Sequence, residues 1–185
     1  MSAGRVEFEW IGALDDDRVE VLARVLMDAM RAFPESYRSL DAARDEVRNF
    51  ARDDWLLCVA VIDGAVAGWG GLIGHTEFAW ELHPLCVDPA HQGGGVGRAI
   101  VGELERRARE EGAITMWLGT EDEVGATSLF GVDLFPDVLS RLAGMTGGGT
   151  HAMGFYRRMG YVVTGVIPDA SGAGRHDFIM SKRLG

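Results

Sequence analysis

The chain has 185 residues, a formal net charge of −10 at pH 7 and a hydrophobic content of 47%. Of its 18 basic residues all but Lys182 are arginine, and they form no stripe, so the composition argues against a nucleic-acid or anionic-membrane partner and suits a cationic substrate. No run approaches the length of a membrane span, and the first ten residues lack the apolar stretch of a secretory signal, so we expect a cytoplasmic protein.

In the first half of the chain, the spacing of apolar residues predicts a strand, two helices and a β-hairpin. The strand covers about 7–12, and the first helix runs from N-cap candidates at Asp15–Asp17 to about residue 30. The second helix covers 40–52 and has a polar, arginine-rich outer face. The hairpin joins strands at 55–62 and 65–73 through an Asp-Gly turn.

The second half continues the alternation of strands and helices. Strands are predicted at about 78–87, 114–120, 161–167 and 177–183, and helices at about 97–111, 137–143 and 151–159. The order predicts an α/β (α+β) fold in one domain over 1–185, with a mixed β-sheet flanked by helices. Cys58 and Cys86 lie in apolar strands without metal-ligand spacing, which predicts buried free thiols and no metal site.

The stretch WELHPLCVDPAHQGGGVGR, residues 80–98, is the most informative part of the sequence. An apolar strand leads through Pro89 into glycines at 93, 94, 95 and 97 and then directly into a helix. Helix N-termini carry unpaired N–H groups and the positive end of the helix dipole, and glycines let an anion approach the backbone. The pattern predicts a phosphate-binding loop.

Two common phosphate-binding loops do not fit this stretch. A Walker A loop requires GxxxxGK[ST], which is absent. A dinucleotide fingerprint GxGxxG requires Gly or Ala at 98 or 100, where the chain has Arg98 and Ile100. The pattern that remains is Q-x-x-G-x-G, from Gln92 to Gly97.

This pattern resembles the acetyl-CoA loop of the GNAT superfamily of N-acetyltransferases, whose order of elements is similar over nearly the whole chain. A second motif, FYRRMGY at 155–161, resembles the late helix-to-strand motif of that superfamily. The resemblance implies a centrally splayed β-sheet, with the pantetheine arm of acetyl-CoA between two strands and no metal. It implies cofactor contacts from Leu85, Cys86, Val87, Gln92, Gly93, Gly94, Gly95, Val96, Gly97 and Arg98.

Pro84 lies inside the strand at 78–87, where a proline marks a bulge or a lost ladder hydrogen bond. We therefore expect a bulge at this position. Backbone N–H groups that the bulge frees, from about Leu85 to Val87, can bind the pantetheine and polarise the thioester carbonyl.

Longer phrases resemble one branch of the aminoglycoside 6′-N-acetyltransferases. They are WELHPL (80–85), LGTED (118–122), HAMGFY with GYVVTGVIP (151–168) and HDFIMSKRL (176–184), so the likeness covers roughly residues 55–185. The resemblance implies that Glu81 is the base, that His83 lies beside it and that Tyr156 is the late tyrosine. Since relatives in this branch are often dimers, it also implies a homodimer as a possible assembly.

The chemistry of acetyl transfer independently supports the roles of Glu81 and Tyr156; the alternative for Glu81 is a solvated strand residue. An alkylammonium is only about one part in 10³ free base at neutral pH, a handicap of roughly 4 kcal/mol, so a carboxylate must accept its proton. Attack on the thioester expels the coenzyme A thiolate, which a phenol can protonate. His83 is either an acceptor ligand or a hydrogen-bonded structural histidine.

The acidic loop after the strand at 114–120 is a further candidate for acceptor binding. Its carboxylates either form an anionic wall around a polyamine sugar or are simply solvated; they are Glu121, Asp122, Glu123 and Asp133. Asp177 matches an aspartate of the family whose role can be structural.

Two departures from the family pattern leave the acceptor open. The usual HPYEFY is here HAMGFY, at 151–156, and a triple glycine at 147–149 precedes it. The family's aromatic acceptor contact from the N-terminal helices has only Phe33 and Tyr37 as candidates. The alternatives are acetylation of another amine (a polyamine, an amino acid or a protein N-terminus) and a coenzyme A-binding sensor without catalysis.

Overall fold

The computed structural model describes residues 5–31, 37, 39–50, 55–149 and 152–185. Its contacts group the chain into two compact units, Met1–Ile114 and Thr115–Gly185. The described part contains seven β-strands and five α-helices. The α/β class is therefore confirmed, and no helix in the described ranges is long and apolar enough to cross a membrane.

The first unit is a four-stranded antiparallel sheet with three α-helices. Its elements are β1 Glu7–Ile11, α1 Asp16–Ala29, α2 Leu40–Asn49, β2 Trp55–Ile62, β3 Ala65–Gly74, β4 Ala79–Val87, a 3₁₀ helix Pro89–His91 and α3 Val96–Glu110. Helices α1 and α2 begin at side-chain caps: Asp15 accepts from the Arg18 N–H at 2.7 Å, and Ser39 accepts from the Ala42 N–H at 3.1 Å. The predicted elements are confirmed, and the 3₁₀ helix is an addition. Residues 51–52, the predicted end of α2, lie outside the described residues.

Helices cover both faces of this sheet. On one face Trp69 Nε1 donates to the carbonyl of Leu22 in α1 at 3.0 Å, and the Trp69 ring packs edge-on against Phe50 after α2. On the other face α3 lies so close to β3 that a Cβ on Gly70 would be 3.0 Å from a methyl of Leu104. Glycines in β3 thus allow α3 to sit directly on the sheet.

The second unit contains β5 Thr115–Glu121, α4 Val138–Ala143, α5 Ala152–Arg158, β6 Val162–Ile167 and β7 Asp177–Arg183. β7 pairs antiparallel with both β5 and β6. Buried His176 fixes the long loops: its Nδ1 accepts from the Asp169 N–H at 3.1 Å, so Nε2 carries the hydrogen and donates to the carbonyls of Leu129 and Val132 at 3.1 and 3.0 Å. The predicted strands and helices of this half are confirmed, apart from residue 151, which lies outside the described residues.

Candidate active site

The glycine loop joins β4 to α3, and side-chain hydrogen bonds fix the segment that precedes it. Asp88 Oδ1 accepts from the Ala90 N–H at 2.8 Å, which fixes the 3₁₀ helix. Gln92 Nε2 donates to the carbonyl of Val87 at 3.0 Å, so this side chain ties the loop to the end of β4. Gly93 and Gly95 have φ angles of +74° and +89°, which only glycine adopts readily.

The N-terminus of α3 presents unpaired backbone donors. Gly95 is its N-cap and supplies no side-chain acceptor. The first intrahelical bond is from the Ala99 N–H to the Gly95 carbonyl at 3.0 Å, so the N–H groups of Val96, Gly97 and Arg98 have no intrahelical partner. This is the geometry that binds a phosphate group, and the loop glycines in front of it are exposed.

A bulge in β4 lies where the sequence predicts it. The ladder pairs Leu82 with Leu72 and Leu85 with Gly70, so β4 has one residue more than β3 between these pairs. The extra residue falls at His83-Pro84, whose peptide bond is cis. β3 itself needs a glycine here, since a Cβ on Gly71 would lie 2.5 Å from the His83 carbonyl oxygen.

The bulge decides which side chains of β4 share a face. Glu81 pairs with Ile73 and Cys86 pairs with Trp69, and these two β3 residues point to the same face because they are four apart. Without the bulge, Glu81 and Cys86 would point to opposite faces, since they are five apart. Both therefore lie on the face that α1 and α2 cover.

The backbone of β4 after the bulge offers donors at alternate residues. The Asp88 N–H donates to the Ala67 carbonyl of β3 at 2.9 Å. Counting back by two, Cys86 also directs its backbone groups toward β3, whereas Leu85 and Val87 direct theirs away from it. We therefore retain Leu85 and Val87 as backbone donors to a cofactor and leave out Cys86, whose thiol is buried beside the Trp69 carbonyl at 3.6 Å.

Glu81 has one carboxylate oxygen already bound. Its Oε2 lies 2.6 Å from Nε2 of His75, in the turn between β3 and β4. The Glu81 side chain is 17% exposed and the His75 side chain 46% exposed. A partly buried carboxylate that retains one oxygen, Oε1, is suited to accept a proton from an incoming amine.

His83 lies beside a second carboxylate that the sequence does not single out. Oε1 of Glu46, on α2, is 3.3 Å from His83 Nε2, and that oxygen is buried without a hydrogen-bond partner among the described residues. Tyr37 is also in this region: burial, with the negative charge of Glu46, raises the pKa of its hydroxyl well above the usual value. Phe33, the other aromatic candidate, lies outside the described residues.

Tyr156, the candidate acid, lies in the second unit on α5. Its ring packs edge-on against Phe155 and Tyr161, with centroid distances of 5.0 and 5.6 Å. Burial raises the pKa of its hydroxyl well above the usual value, so the phenol remains protonated at neutral pH. A neutral phenol can give its proton to a thiolate, although the raised pKa makes Tyr156 a weaker donor than a solvated tyrosine.

The acidic residues of the second unit differ in the hydrogen bonds and ion pairs that their carboxylate oxygens already form. Asp122 is buried and accepts from the N–H groups of Ala126 and Thr127, both at 2.8 Å, so it fixes the loop, and we leave it out of the acceptor site. Glu121 pairs with Arg175 at 2.6 Å. Asp133 accepts from the Phe135 N–H at 2.9 Å and is exposed.

Asp133 also lines an open depression of about 440 Å³. Asp177 packs against the backbone of β5, since a Cβ on Gly119 would lie 2.7 Å from Oδ2 of Asp177. No group of three or more His, Cys, Asp or Glu side chains in the described part of the chain is placed to hold a metal ion.

Sequence reasoning missed two site residues, His75 and Glu46. His75 lies in a turn, and Glu46 lies on a helix face whose sequence predicts exposure to solvent. The contacts His75–Glu81 and Glu46–His83 each join residues of different elements. Clusters formed by folding leave no trace in local periodicity. The sequence indicated His75 only through its position six residues before Glu81, the candidate base.

Comparisons with known proteins identify the fold and the family. The model of the acetyltransferase (GNAT) family matches residues 22–131. A crystal structure of an aminoglycoside 6′-N-acetyltransferase complexed with coenzyme A is 27% identical, with a TM-score of 0.84 over 97% of each chain, and that of the aminoglycoside 6′-N-acetyltransferase from Enterococcus faecium is 27% identical with a TM-score of 0.82 and the same coverage. These matches confirm the predicted GNAT fold.

Among curated proteins, the blasticidin-S acetyltransferase of Streptomyces morookaense is 33% identical over 102 residues, 54% of this chain and 55% of that protein. The chain spans about half the length, or less, of the curated relatives that it matches. Because the family model matches more than half of its residues, the chain belongs to the acetyltransferase (GNAT) family.

Proposed function

We propose that the chain transfers the acetyl group of acetyl-CoA to a primary amine of an aminoglycoside, at the 6′ position, and so confers antibiotic resistance. This proposal rests on one observation. The first unit places two carboxylates, those of Glu81 and Glu46, near the bulged strand β4, and Glu46 contacts His83 of that strand. No residue that the structure describes donates a hydrogen bond to the buried Glu46 oxygen, which lies 3.3 Å from His83 Nε2, and an ammonium group of a polyamine sugar can supply one. The similar aminoglycoside 6′-N-acetyltransferase structures support the same acceptor class.

The reaction that we propose needs no covalent enzyme intermediate. Glu81 Oε1 takes a proton from the acceptor ammonium, directly or through a water, and the free amine attacks the thioester carbon. The N–H groups of Leu85 and Val87 polarise the thioester carbonyl, and the N-terminus of α3 holds the pyrophosphate. The C–S bond breaks and Tyr156 gives its proton to the departing thiolate. The amide nitrogen loses its second proton, which restores the Tyr156 phenol, and the proton held by Glu81 passes to solvent.

A second acceptor class has an observation in its favour. The blasticidin-S acetyltransferase is 33% identical, and the segment 147–154 departs from the aminoglycoside family pattern. An amine outside the aminoglycosides is therefore the alternative acceptor, with the same cofactor and the same base.

The deciding experiment measures thiol release from acetyl-CoA with a panel of acceptors. The panel contains kanamycin-type aminoglycosides, blasticidin S, polyamines, amino acids and peptides with free N-termini. We expect turnover of an aminoglycoside with acetylation at the 6′ amine, read out by mass spectrometry. Turnover of another amine, and of no aminoglycoside, would reject the proposed acceptor and keep the acetyltransferase.

A coenzyme A sensor without catalysis is tested by two substitutions. We expect Glu81→Gln and Tyr156→Phe each to lower kcat, Glu81→Gln by about 10² to 10⁴-fold, with little change in acetyl-CoA affinity. Glu77→Gln is the matched control for Glu81→Gln, since Glu77 is an exposed carboxylate in the preceding turn. Unchanged function in both substituted enzymes would favour the sensor.

A further inference from the structure

His75 is placed by a tightly hydrogen-bonded turn between β3 and β4. The N–H groups of His75 and Thr76 both donate to the Ala79 carbonyl at 3.3 Å. Thr76 Oγ1 accepts from the N–H groups of Phe78 and Ala79 at 3.3 and 3.0 Å. The backbone of His75 is therefore fixed one residue after the end of β3, on the hairpin that also carries Glu81.

The contact between His75 and Glu81 has a defined donor. The distance from Nε2 to Oε2 is 2.6 Å, just below the range of about 2.7–2.9 Å for a charge-assisted N–H···O hydrogen bond. An ionised carboxylate can only accept, so the hydrogen lies on Nε2 of the imidazole. This bond commits Oε2 of Glu81 to the turn and leaves Oε1 for a second partner.

The bond also restricts a side chain that is otherwise free to rotate. Glutamate has three rotatable bonds, and its carboxylate can occupy many positions above a strand. Glu81 is 17% exposed, whereas His75 is 46% exposed and forms the outer side of the pair. Proton transfer from a bound amine requires a carboxylate oxygen within hydrogen-bond reach in a fixed direction, which this restriction supplies.

We propose that His75 is a positioning residue for acetyl transfer, which holds Oε2 of Glu81 so that Oε1 faces the acceptor amine. This role rests on the proposed function, in which Glu81 is the base. In this role His75 contacts neither acetyl-CoA nor the reacting atoms. Its removal should therefore lower kcat with the amine and leave the KM for acetyl-CoA unchanged.

Two amide variants test the proposal, because they differ in where they place a donor. The amide nitrogen of His75→Gln reaches the position of Nε2, whereas that of the shorter His75→Asn falls near the position of Nδ1. We expect His75→Asn and His75→Ala to lower kcat about 10 to 10²-fold, because a misplaced catalytic group causes a loss of this size. His75→Gln should keep most of the wild-type kcat. Glu77→Gln, in the same turn, should behave as wild type.

The measurements are kcat and KM for acceptor and acetyl-CoA, with a thermal unfolding curve for every variant. Losses in the Asn and Ala variants alone, with an unchanged KM for acetyl-CoA, support positioning. Full activity of His75→Ala while Glu81→Gln is inactive overturns the role of His75 and keeps the proposed function. Equal losses in the Gln and Asn variants also overturn it. Full activity of Glu81→Gln instead overturns the proposed base, and this result is separate from either outcome at His75.

Discussion

At the scale of single residues, the oxygens that remain available decide what each carboxylate can do. Asp122 uses both oxygens on backbone N–H groups of its own loop, and Glu81 uses one on His75. Glu46 has a buried oxygen with no hydrogen-bond partner among the described residues. Three acidic residues of similar chemistry therefore have three different capacities: fixing a loop, accepting a proton and receiving a cation.

The first prediction concerns Glu46 and the number of positive charges on the acceptor. We expect Glu46→Gln to raise the KM for a polyamine acceptor about tenfold or more, because a partly buried carboxylate bonded to an ammonium contributes about 1.5–3 kcal/mol. The kcat should change little, since the base is intact. Asp45→Asn is the control: it removes the same charge from the preceding residue of α2, whose side chain is 77% exposed. A tenfold effect in the control would point to net charge instead of the site.

These residue-level distinctions were only partly predictable. The sequence identified Glu81 through its motif, but it grouped Asp122 with Glu121 and Asp133 because an acidic loop has no periodicity that separates a turn-fixing carboxylate from a solvated one. Glu46 was counted with the polar face of a helix. Its burial depends on β4, which comes more than thirty residues later in the chain.

At the scale of elements, the bulge at His83-Pro84 and the glycine loop determine the site. The bulge brings Glu81 and Cys86 to one face of the sheet, and the loop starts α3 directly after β4. Both features were predictable from Pro84 and the loop glycines, because proline and glycine restrict or free the backbone at their own positions. The change of facing direction was not predictable, since it depends on the pairing of β4 with β3.

The second prediction concerns Gly95, the N-cap of α3. We expect Gly95→Val to raise the KM for acetyl-CoA strongly, because a β-branched residue resists a φ of +89° and its side chain stands where the phosphates approach. Gly102→Ala is the control on the same helix: it is exposed, and an added Cβ meets nothing within 4 Å. It should stabilise α3 by about 0.5–1 kcal/mol and leave the KM unchanged.

Calorimetric titration of acetyl-CoA into both variants, together with thermal unfolding, checks this prediction. Wild-type acetyl-CoA affinity in a folded Gly95→Val protein would mean that the pyrophosphate binds elsewhere.

At the scale of the whole molecule, buried acids that stay neutral link stability to pH. Burial raises the pKa of the Cys58 thiol to about 12 and that of Cys86 well above its usual value. Both were predicted as buried free thiols, and the structure confirms this. In an unfolded chain these thiols ionise near pH 8.5. Between that pH and their pKa in the folded protein, the folded state holds more protons than the unfolded state.

The third prediction follows from the sign of this difference. Raising the pH favours the state with fewer bound protons, so the free energy of unfolding should change little between about pH 7 and 8 and fall above it. Each thiol contributes a loss of up to about 1.4 kcal/mol per pH unit above 8.5. Tyr37 and Tyr156, whose pKa values burial also raises, extend the decline above about pH 10. Urea unfolding at pH 7 to 10 in the presence of a reducing agent measures how the free energy of unfolding depends on pH.

Cys58→Ala separates this effect from a general loss of stability in alkali. The substitution removes one buried thiol and some packing, so the variant should be less stable than wild type at pH 7. Its free energy of unfolding should nevertheless fall less steeply between pH 8.5 and 10, because one group no longer loses its proton on unfolding. Parallel curves for the two proteins would show that the Cys58 thiol ionises in the folded state as readily as in the unfolded chain. The buried strand β2 would then have to admit water to this position.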